Sequence, residues 1–328
     1  MYSKHDVIWE TPSSGSKGSM PLGNGDVGVN VWVEENSDLQ MLIAKTDAWD
    51  ENGRLVKLGK VCIKASGQVW NTRQFQQCLR LEEGEITVSI DEAGKQLRYR
   101  VRVDAHHSVI RIEVDADQEV GLAVSTEPWR MERREITGIE LHSAYGLNGG
   151  PERVFAEPDT ILPEDEDKLI CYHRNERSVW PENMRLQSIP YEDGSFRDPL
   201  LHRTFGVMAK GDGLLRSSLM TLSSAVPGNK YCIELHALCS QTDTAEEWVR
   251  QIEMSAAVCE STPLETSREK HRDWWQDFWQ RSWIDSDDES LQTILSGYTL
   301  QRYMHACSGR GAFPIKFNGS IFTIGNMV

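Results

Sequence analysis

The chain has 328 residues, of which 39% are hydrophobic, and a formal net charge of -15 at pH 7. A chain of this length buries a substantial core and holds one large domain or two. The acidic residues are spread along the sequence, which argues against partners such as nucleic acid or an anionic membrane surface. No stretch approaches the ~20 apolar residues of a membrane span, and the start, MYSKHDVIWE, has no apolar signal region. We therefore expect a cytoplasmic protein, or a secreted one whose leader was removed.

The cysteines indicate a reducing compartment. There are seven, an odd number, with no CxxC pair and no histidine at zinc-finger spacing. Buried free cysteine behaves as a small hydrophobe. We therefore expect reduced core thiols, no metal site and no cofactor.

A glycine-rich stretch near the start spells GxGxxG with Gly23, Gly25 and Gly28. That pattern cradles a dinucleotide pyrophosphate when it follows a strand and opens a helix. Here a Ser/Gly loop precedes it, and valines alternate after it from residue 27 to 33, which is the period of a strand. We therefore interpret Asn24-Gly25 as a turn that needs positive φ angles.

The next hundred residues predict an antiparallel β-structure. EITVSI and LRYRVRV alternate on either side of a turn at 92–95, which is typical of a hairpin, and a further strand follows at 110–114. No helix-length segment intervenes, so the pattern favours a β-sandwich over a parallel sheet. Residues 127–204 have a poor apolar period and are interpreted as a long excursion on one face of the sandwich. Strands resume in RTFGVMAK and YCIELHAL.

The last third of the chain changes to helical periods. Thr244 begins a capping-box sequence before a helical face, which is formed by Ala245, Trp248, Val249 and Ile252. A second box at 262–265 leads into an aromatic stripe, His271, Trp274, Trp275, Phe278 and Trp279.

The final helix is predicted from a cap at 286–289, with an apolar face formed by Leu291, Ile294, Leu295 and Tyr298. A helix of about 20 residues needs partners to bury such a face. Little sequence follows it, so we expect a helical domain that is cut off after its first element.

Four motifs carry a resemblance: PLGNGDVGVNVWVE, KTDAWDENGRLVKLGKV, WWQDFWQRSWI and YTLQRYMHACSGRGAFPIKFNGSIF. Together they are similar to a bacterial family of unknown function with glycoside-hydrolase-like architecture, and more distantly to the inverting α-L-fucosidase family. The resemblance implies a mainly β fold, with an N-terminal β-supersandwich, linker helices and the first helix of an incomplete α/α-toroid. The implied domains are 1–240 for the supersandwich, 241–285 for the helical linker and 286–328 for the start of a truncated toroid.

The resemblance also implies where the chemistry lies. In the fucosidase-like enzymes the general acid and the water-activating residues belong to the barrel, downstream of the loop that corresponds to 314–321. Within that loop Lys316, Phe317 and Asn318 stand where the relative has a different polar set. Only Asn318 and Gly319 carry over as candidate substrate-lining residues. The catalytic residues are therefore not assigned, and the missing C-terminal barrel is the expected intramolecular partner.

One loop of the sandwich offers its own candidates. Glycoside hydrolysis uses two carboxyl groups, about 5 Å apart for retention and roughly 6.5–9.5 Å for inversion, and tryptophan offers a flat face to a sugar ring. The stretch DAWDENGR has three carboxylates, but Ala48 stands where a calcium loop requires Asp. It is either a solvated turn, with Lys45 or Arg54 pairing the acids, or a sugar-contacting loop. In the second case the substrate-binding candidates are Asp47, Trp49, Asp50, Glu51, Asn52 and Arg54.

Three functions follow from these observations. The first is a part of a glycoside hydrolase that works by general acid and base catalysis and is inactive without its barrel. The second is a non-catalytic carbohydrate-binding or structural module, and the third is an interaction scaffold. In the first two cases the partner is a carbohydrate substrate or glycan.

Overall fold

The computed structural model describes residues 2–67, 70, 74–143, 153–163, 165–190, 196–315 and 320–324. The strands are β1 Val7–Trp9, β2 Met20–Gly23, β3 Val27–Val33, β4 Leu39–Trp49, β5 Leu55–Ser66, β6 Gln74–Arg80, β7 Glu85–Glu92, β8 Lys95–Val103, β9 Val109–Glu127, β10 Arg134–Glu135, β11 Phe155–Ala156, β12 Thr160–Leu162, β13 Lys168–Arg174, β14 Arg203–Gly211, β15 Leu214–Ser218, β16 Thr221–Ser224 and β17 Gly228–Gln241. The α-helices are α1 Trp180–Leu186, α2 Ala245–Glu260, α3 Leu264–Gln280 and α4 Gln292–Ser308. The predicted mainly β fold is confirmed.

Two antiparallel layers share the long strand β9. One layer has the order β1-β6-β7-β8-β9-β17-β14-β13-β12, and the other runs β2-β3-β4-β5-β9-β16-β15. The first half of β9 pairs with β8 and β17, and its second half pairs with β5 and β16. A 19-residue strand is long enough to serve both layers, so the apolar faces of both contribute to one core.

The predicted hairpin is confirmed as β7 and β8. Ile86 lies opposite Val101, and Ile90 lies opposite Leu97, with all four side chains buried. The turn between the strands uses two residues at positive φ, Ala93 and Gly94, as a two-residue hairpin turn requires.

The excursion at 127–204 is more regular than predicted. It contributes β13 to the interior of the larger layer, between β12 and β14. Five consecutive residues of β13, Leu169 to His173, are buried, so the strand lacks the alternation that marks a half-exposed strand. Helix α1 also lies in this region.

The helices pack on the sandwich by the faces that the sequence predicted, except in α4. Trp248 and Ile252 of α2 pack on Ile170 and Met208 of the larger layer. In α3 the aromatic stripe is confirmed as packing, and the Trp279 indole donates to the Leu81 carbonyl at 3.0 Å.

The predicted apolar face of α4 is only partly correct. Leu295 is buried as predicted, but Leu291 and Ile294 are 39% and 67% exposed. The other buried side chains lie further along the helix, at Thr299, Tyr303, Ala306, Cys307 and Ser308. The reason is that the second half of the helix rests on strand β2, where the Tyr303 hydroxyl donates to the Pro21 carbonyl at 2.9 Å.

Two of the predicted helix caps differ in the structure. Thr244 caps α2 by accepting from the Glu247 amide, as predicted. Helix α3 instead follows Pro263 without a side-chain cap, and Asp288 caps a short 3-10 turn that precedes α4. Among the residues that the structure describes, no helix is both long and apolar enough to cross a membrane.

Candidate functional site

The end of helix α4 packs against the glycine-rich turn. The Gly25 amide donates to the Cys307 carbonyl at 2.8 Å, and Gly25 has φ +85°. The Asn24 side chain stabilises the turn by accepting from the amides of Asp26 and Val27. Strand β3 follows, so the turn and strand predicted in place of a dinucleotide motif are confirmed.

A lysine joins the glycine-rich turn to the end of β4. Lys45 Nζ lies 2.6 Å from the Asp26 carboxylate and 2.9 Å from that of Asp47. Burial disfavours the ammonium, but the two carboxylates outweigh burial and raise the pKa of Lys45. Arg203 also approaches Asp47, at 3.8 Å. Asp47 is therefore a charge-paired residue of the strand itself.

The sharp turn after β4 is organised by Asp50. Its carboxylate accepts from the amides of Asn52 and Arg54 and from Arg54 Nε, at 2.7–3.0 Å. Gly53 has φ +72°, which suits glycine at the corner. Burial raises the pKa of Asp50, while the Arg54 guanidinium opposes that rise. Arg54 also pairs with Glu140, at 2.5 Å.

Glu51 belongs to a buried chain of charges. Its Oε2 lies 2.8 Å from His173 Nε2, and His173 Nδ1 lies 3.0 Å from Asp159 Oδ1. Arg130 Nε donates to the same Asp159 oxygen at 2.8 Å. Both His173 and Glu51 are only 1% exposed.

The chain of charges favours an imidazolium at His173. Burial lowers its pKa, but the hydrogen bonds to Asp159 and Glu51 outweigh burial and the pKa is raised. Burial raises the pKa of Glu51, but the hydrogen bond and the positive charge of His173, together with a backbone hydrogen bond and the charge of Arg177, outweigh burial and the pKa is lowered. Both nitrogens of His173 face carboxylate oxygens, so both donate.

Asn52 connects the turn to the excursion. Its side-chain amide donates to Glu51 at 3.0 Å and to the Phe155 carbonyl at 2.8 Å. Arg177 donates to the Asn52 side-chain oxygen at 3.3 Å, and the Val179 amide donates to the Glu51 carbonyl. The excursion thus covers the turn.

The candidate residues therefore fall into three groups. Asp47 and Trp49 lie in strand β4, and the Trp49 ring is half-buried. Asp50, Glu51, Asn52 and Arg54 form the turn, which is buried and not solvated. Of the expected ion pairs, Arg54 pairs with Asp50 in the turn, and Lys45 pairs with Asp47 in the strand. Asn318 and Gly319 lie outside the described residues.

Sequence reasoning missed the partners of the turn. His173, Asp159, Arg130 and Arg177 all come from the excursion, where the apolar period is poor. One signal was available: a single histidine in the apolar run KLICYHR, where a buried ring nitrogen requires a partner.

The charged groups around the turn at 50–54 are arranged to stabilise the fold. Each carboxylate of the turn already accepts from a cation or an amide, and a general acid or base needs an oxygen that can reach substrate. Within the described ranges, no group of three or more His, Cys, Asp or Glu side chains is placed to hold a metal ion. All seven cysteines are free thiols, four of them buried.

The fold and these contacts define a two-layer antiparallel β-protein with helices docked on it. Residues 8–284 match the N-terminal model of a domain of unknown function, DUF5703, and the chain belongs to that family. No curated protein matches the chain.

Among solved structures, the chain is similar to a protein described as a kojibiose phosphorylase from the human microbiome. The two are 9% identical, with a TM-score of 0.46, over 91% of this chain. This chain spans 41% of the length of that one. The likeness is too loose to transfer an activity.

Proposed function

We propose that residues 1–328 form the scaffold part of a carbohydrate-active protein, a glycoside hydrolase of the α-fucosidase-like, inverting kind whose acid and base belong to an α/α-toroid beyond this part. The end of α4 packs on the glycine-rich turn of the sandwich, and the loop 314–321, which includes Asn318 and Gly319, follows α4 in the sequence. The motif resemblance in both regions supports the carbohydrate assignment.

One observation carries the scaffold role: the carboxylates of the turn at 50–54 are buried and paired with protein groups. Two carboxyl groups that flank a glycosidic bond must face the substrate, and Asp50 and Glu51 face inward. The proposal therefore assigns catalysis to the barrel and support of the site to the sandwich.

The direct test compares two proteins with aryl α-L-fucosides and other aryl glycosides. One is residues 1–328, and the other is the same chain extended by the α/α-toroid that we propose. We expect turnover with inversion by the longer protein alone. Turnover by residues 1–328, or by neither protein, contradicts the proposal.

The second candidate is a glycan-binding module, and the half-buried Trp49 favours it. This ring lies at the end of β4, directly before the turn. Stacking of a sugar on an aromatic face would be lost with the ring. We expect Trp49→Ala to weaken glycan binding in calorimetry, while Trp283→Ala, a 53% exposed tryptophan between α3 and α4, leaves it unchanged. Equal effects of both variants would contradict binding at Trp49.

A further inference from the structure

A groove of the sandwich binds the C-terminal segment Ser320–Phe322, a single 3-10 turn. Ile321 and Phe322 are 2% and 8% exposed. A Cβ atom on Gly28 would lie 2.5 Å from Ile321 Cδ1 and 2.9 Å from Phe322 Cε1. The segment can therefore approach β3 this closely only because residue 28 is glycine.

Two side chains of the sandwich hold the backbone of this segment. Lys57 Nζ donates to the Ile321 carbonyl, and Asn30 Nδ2 donates to the Phe322 carbonyl at 3.4 Å. Lys57 Nζ also reaches Asn30 Oδ1 at 3.4 Å. The ammonium therefore has neutral acceptors, a carbonyl and an amide oxygen.

The surroundings of Lys57 supply no opposite charge among the contacts of the described residues. Strand β3 offers Asn30, and β4 places Ala44 opposite Lys57 in the register. After β9 comes Arg130, which donates to the Lys57 carbonyl and is itself paired with Asp159. Between Gly311 and Val328 the only ionisable side chain in the sequence is Lys316, another cation.

We propose that docking of Ser320–Phe322 in this groove is coupled to the loss of a proton from Lys57. Lys57 is half-buried, and the groove and the segment together surround its amine with neutral acceptors and no carboxylate, so the docked state favours the neutral amine. The segment then docks more tightly as pH rises. This inference goes beyond the proposed function and does not depend on any carbohydrate.

The direction and size of the effect follow from linkage. Burial lowers the pKa of Lys57 to about 8, from an ordinary value of 10.5. Below pH 8 docking must overcome the cost of a buried ammonium, and that cost disappears as pH rises to 10.5. The docking constant therefore increases by up to ~300-fold across this window, a factor of ten for each unit of pKa difference.

The test follows the lysine Cε methylene groups by carbon NMR during a pH titration of the full chain. We expect one signal with a midpoint near 8, which is absent in Lys57→Met. Phe322→Ser opens the groove and should move that midpoint up toward 10.5, while Ile315→Ser, at a 40% exposed residue that precedes the segment in the sequence, leaves it in place. Ile321→Ala is a milder second variant should Phe322→Ser fail to fold.

Two results would overturn the coupling. One is a Lys57 signal with a midpoint above 10 in the unmodified protein. The other is a midpoint that stays near 8 in both Phe322→Ser and Ile321→Ala, since the burial of Lys57 would then not depend on the segment.

Discussion

His173 Nε2 lies 2.8 Å from the Glu51 carboxylate, and this buried contact joins the turn after β4 to strand β13. The two residues are 122 positions apart in the sequence. Because neither side chain reaches solvent, removing one partner leaves the other charge buried and unpaired, which is the costly way to break an ion pair.

Glu51→Gln should therefore destabilise the protein by about 3 kcal/mol, measured as the free energy of unfolding in urea. Glutamine keeps the shape but leaves the His173 imidazolium with one carboxylate, Asp159. The matched control is Glu182→Gln, whose partner Arg185 lies on the exposed side of α1. It should cause no measurable change. Equal effects of the two variants would show that the buried pair is not stabilising.

The pH dependence of the same contact has a defined sign. The lowered pKa of Glu51 stabilises the protein above about pH 4.5, and this contribution is lost as pH falls through the folded-state pKa. The raised pKa of His173 stabilises it below about pH 6.5, and this contribution is lost as pH rises through the folded-state pKa. The difference in unfolding free energy between the unmodified protein and Glu51→Gln should thus be greatest at about pH 4.5–6.5. Urea titrations from acid to alkaline pH measure it, and a constant difference would contradict the assignment.

His271 predicts the opposite response to that of His173, because acid makes its contribution to stability less favourable. It lies on the buried face of α3, its Nε2 donates to the Glu83 carbonyl at 2.9 Å, and burial lowers its pKa to about 4. As pH falls from about 6.5 to 4, the unfolded chain takes up a proton that the folded protein resists, so stability falls by ~3 kcal/mol.

His271→Gln should remove this decline, because glutamine can donate to the same carbonyl and does not titrate. Thermal or urea unfolding at pH 7 and pH 4.5 gives the slope of the unfolding free energy against pH for each protein. His106→Gln, at an exposed histidine of the neighbouring turn, is the control and should keep the slope of the unmodified protein. A slope unaffected by His271→Gln would place the acid sensitivity elsewhere.

The fold was largely predictable from local pattern, and the candidate site was not. The β7–β8 hairpin alternates because one face is buried, so its period is visible in the sequence. Strand β13 is buried on both faces, and the resulting apolar run ends in His173 without any alternation. Its assignment requires the partners on β12 and β14, which are supplied by tertiary structure.

The burial and the partners of the turn at 50–54 could not be predicted from the sequence for a related reason. Turn residues such as Asn52 and Gly53 indicate a corner but not whether it faces water or protein. Burial of this corner depends on the excursion, through Phe155 and Arg177, more than a hundred residues away. Sequence spacing predicted the Arg54 pairing, which is local, and missed His173, which is not.

The contact between the glycine-rich turn and the end of α4 gives a final prediction, based on two glycines in the same backbone conformation. Gly25 has φ +85° and Gly94 has φ +80°, so an alanine is strained at both. A Cβ on Gly25 would also lie 2.5 Å from Arg310 Cγ and 2.6 Å from the Gly311 amide nitrogen, whereas a Cβ on Gly94 meets nothing within 4 Å. Gly94→Ala therefore reports the conformational strain alone, about 1 kcal/mol.

Gly25→Ala should cost more than Gly94→Ala by about 1–3 kcal/mol, the usual penalty of overpacking. The excess should be accompanied by loss of the α4 contact, seen as faster exchange of the Gly25 amide, which bonds to the Cys307 carbonyl. Equal unfolding free energies for the two variants would mean that the end of α4 yields to the added methyl group without cost. The turn would then not be what fixes α4 on the sandwich.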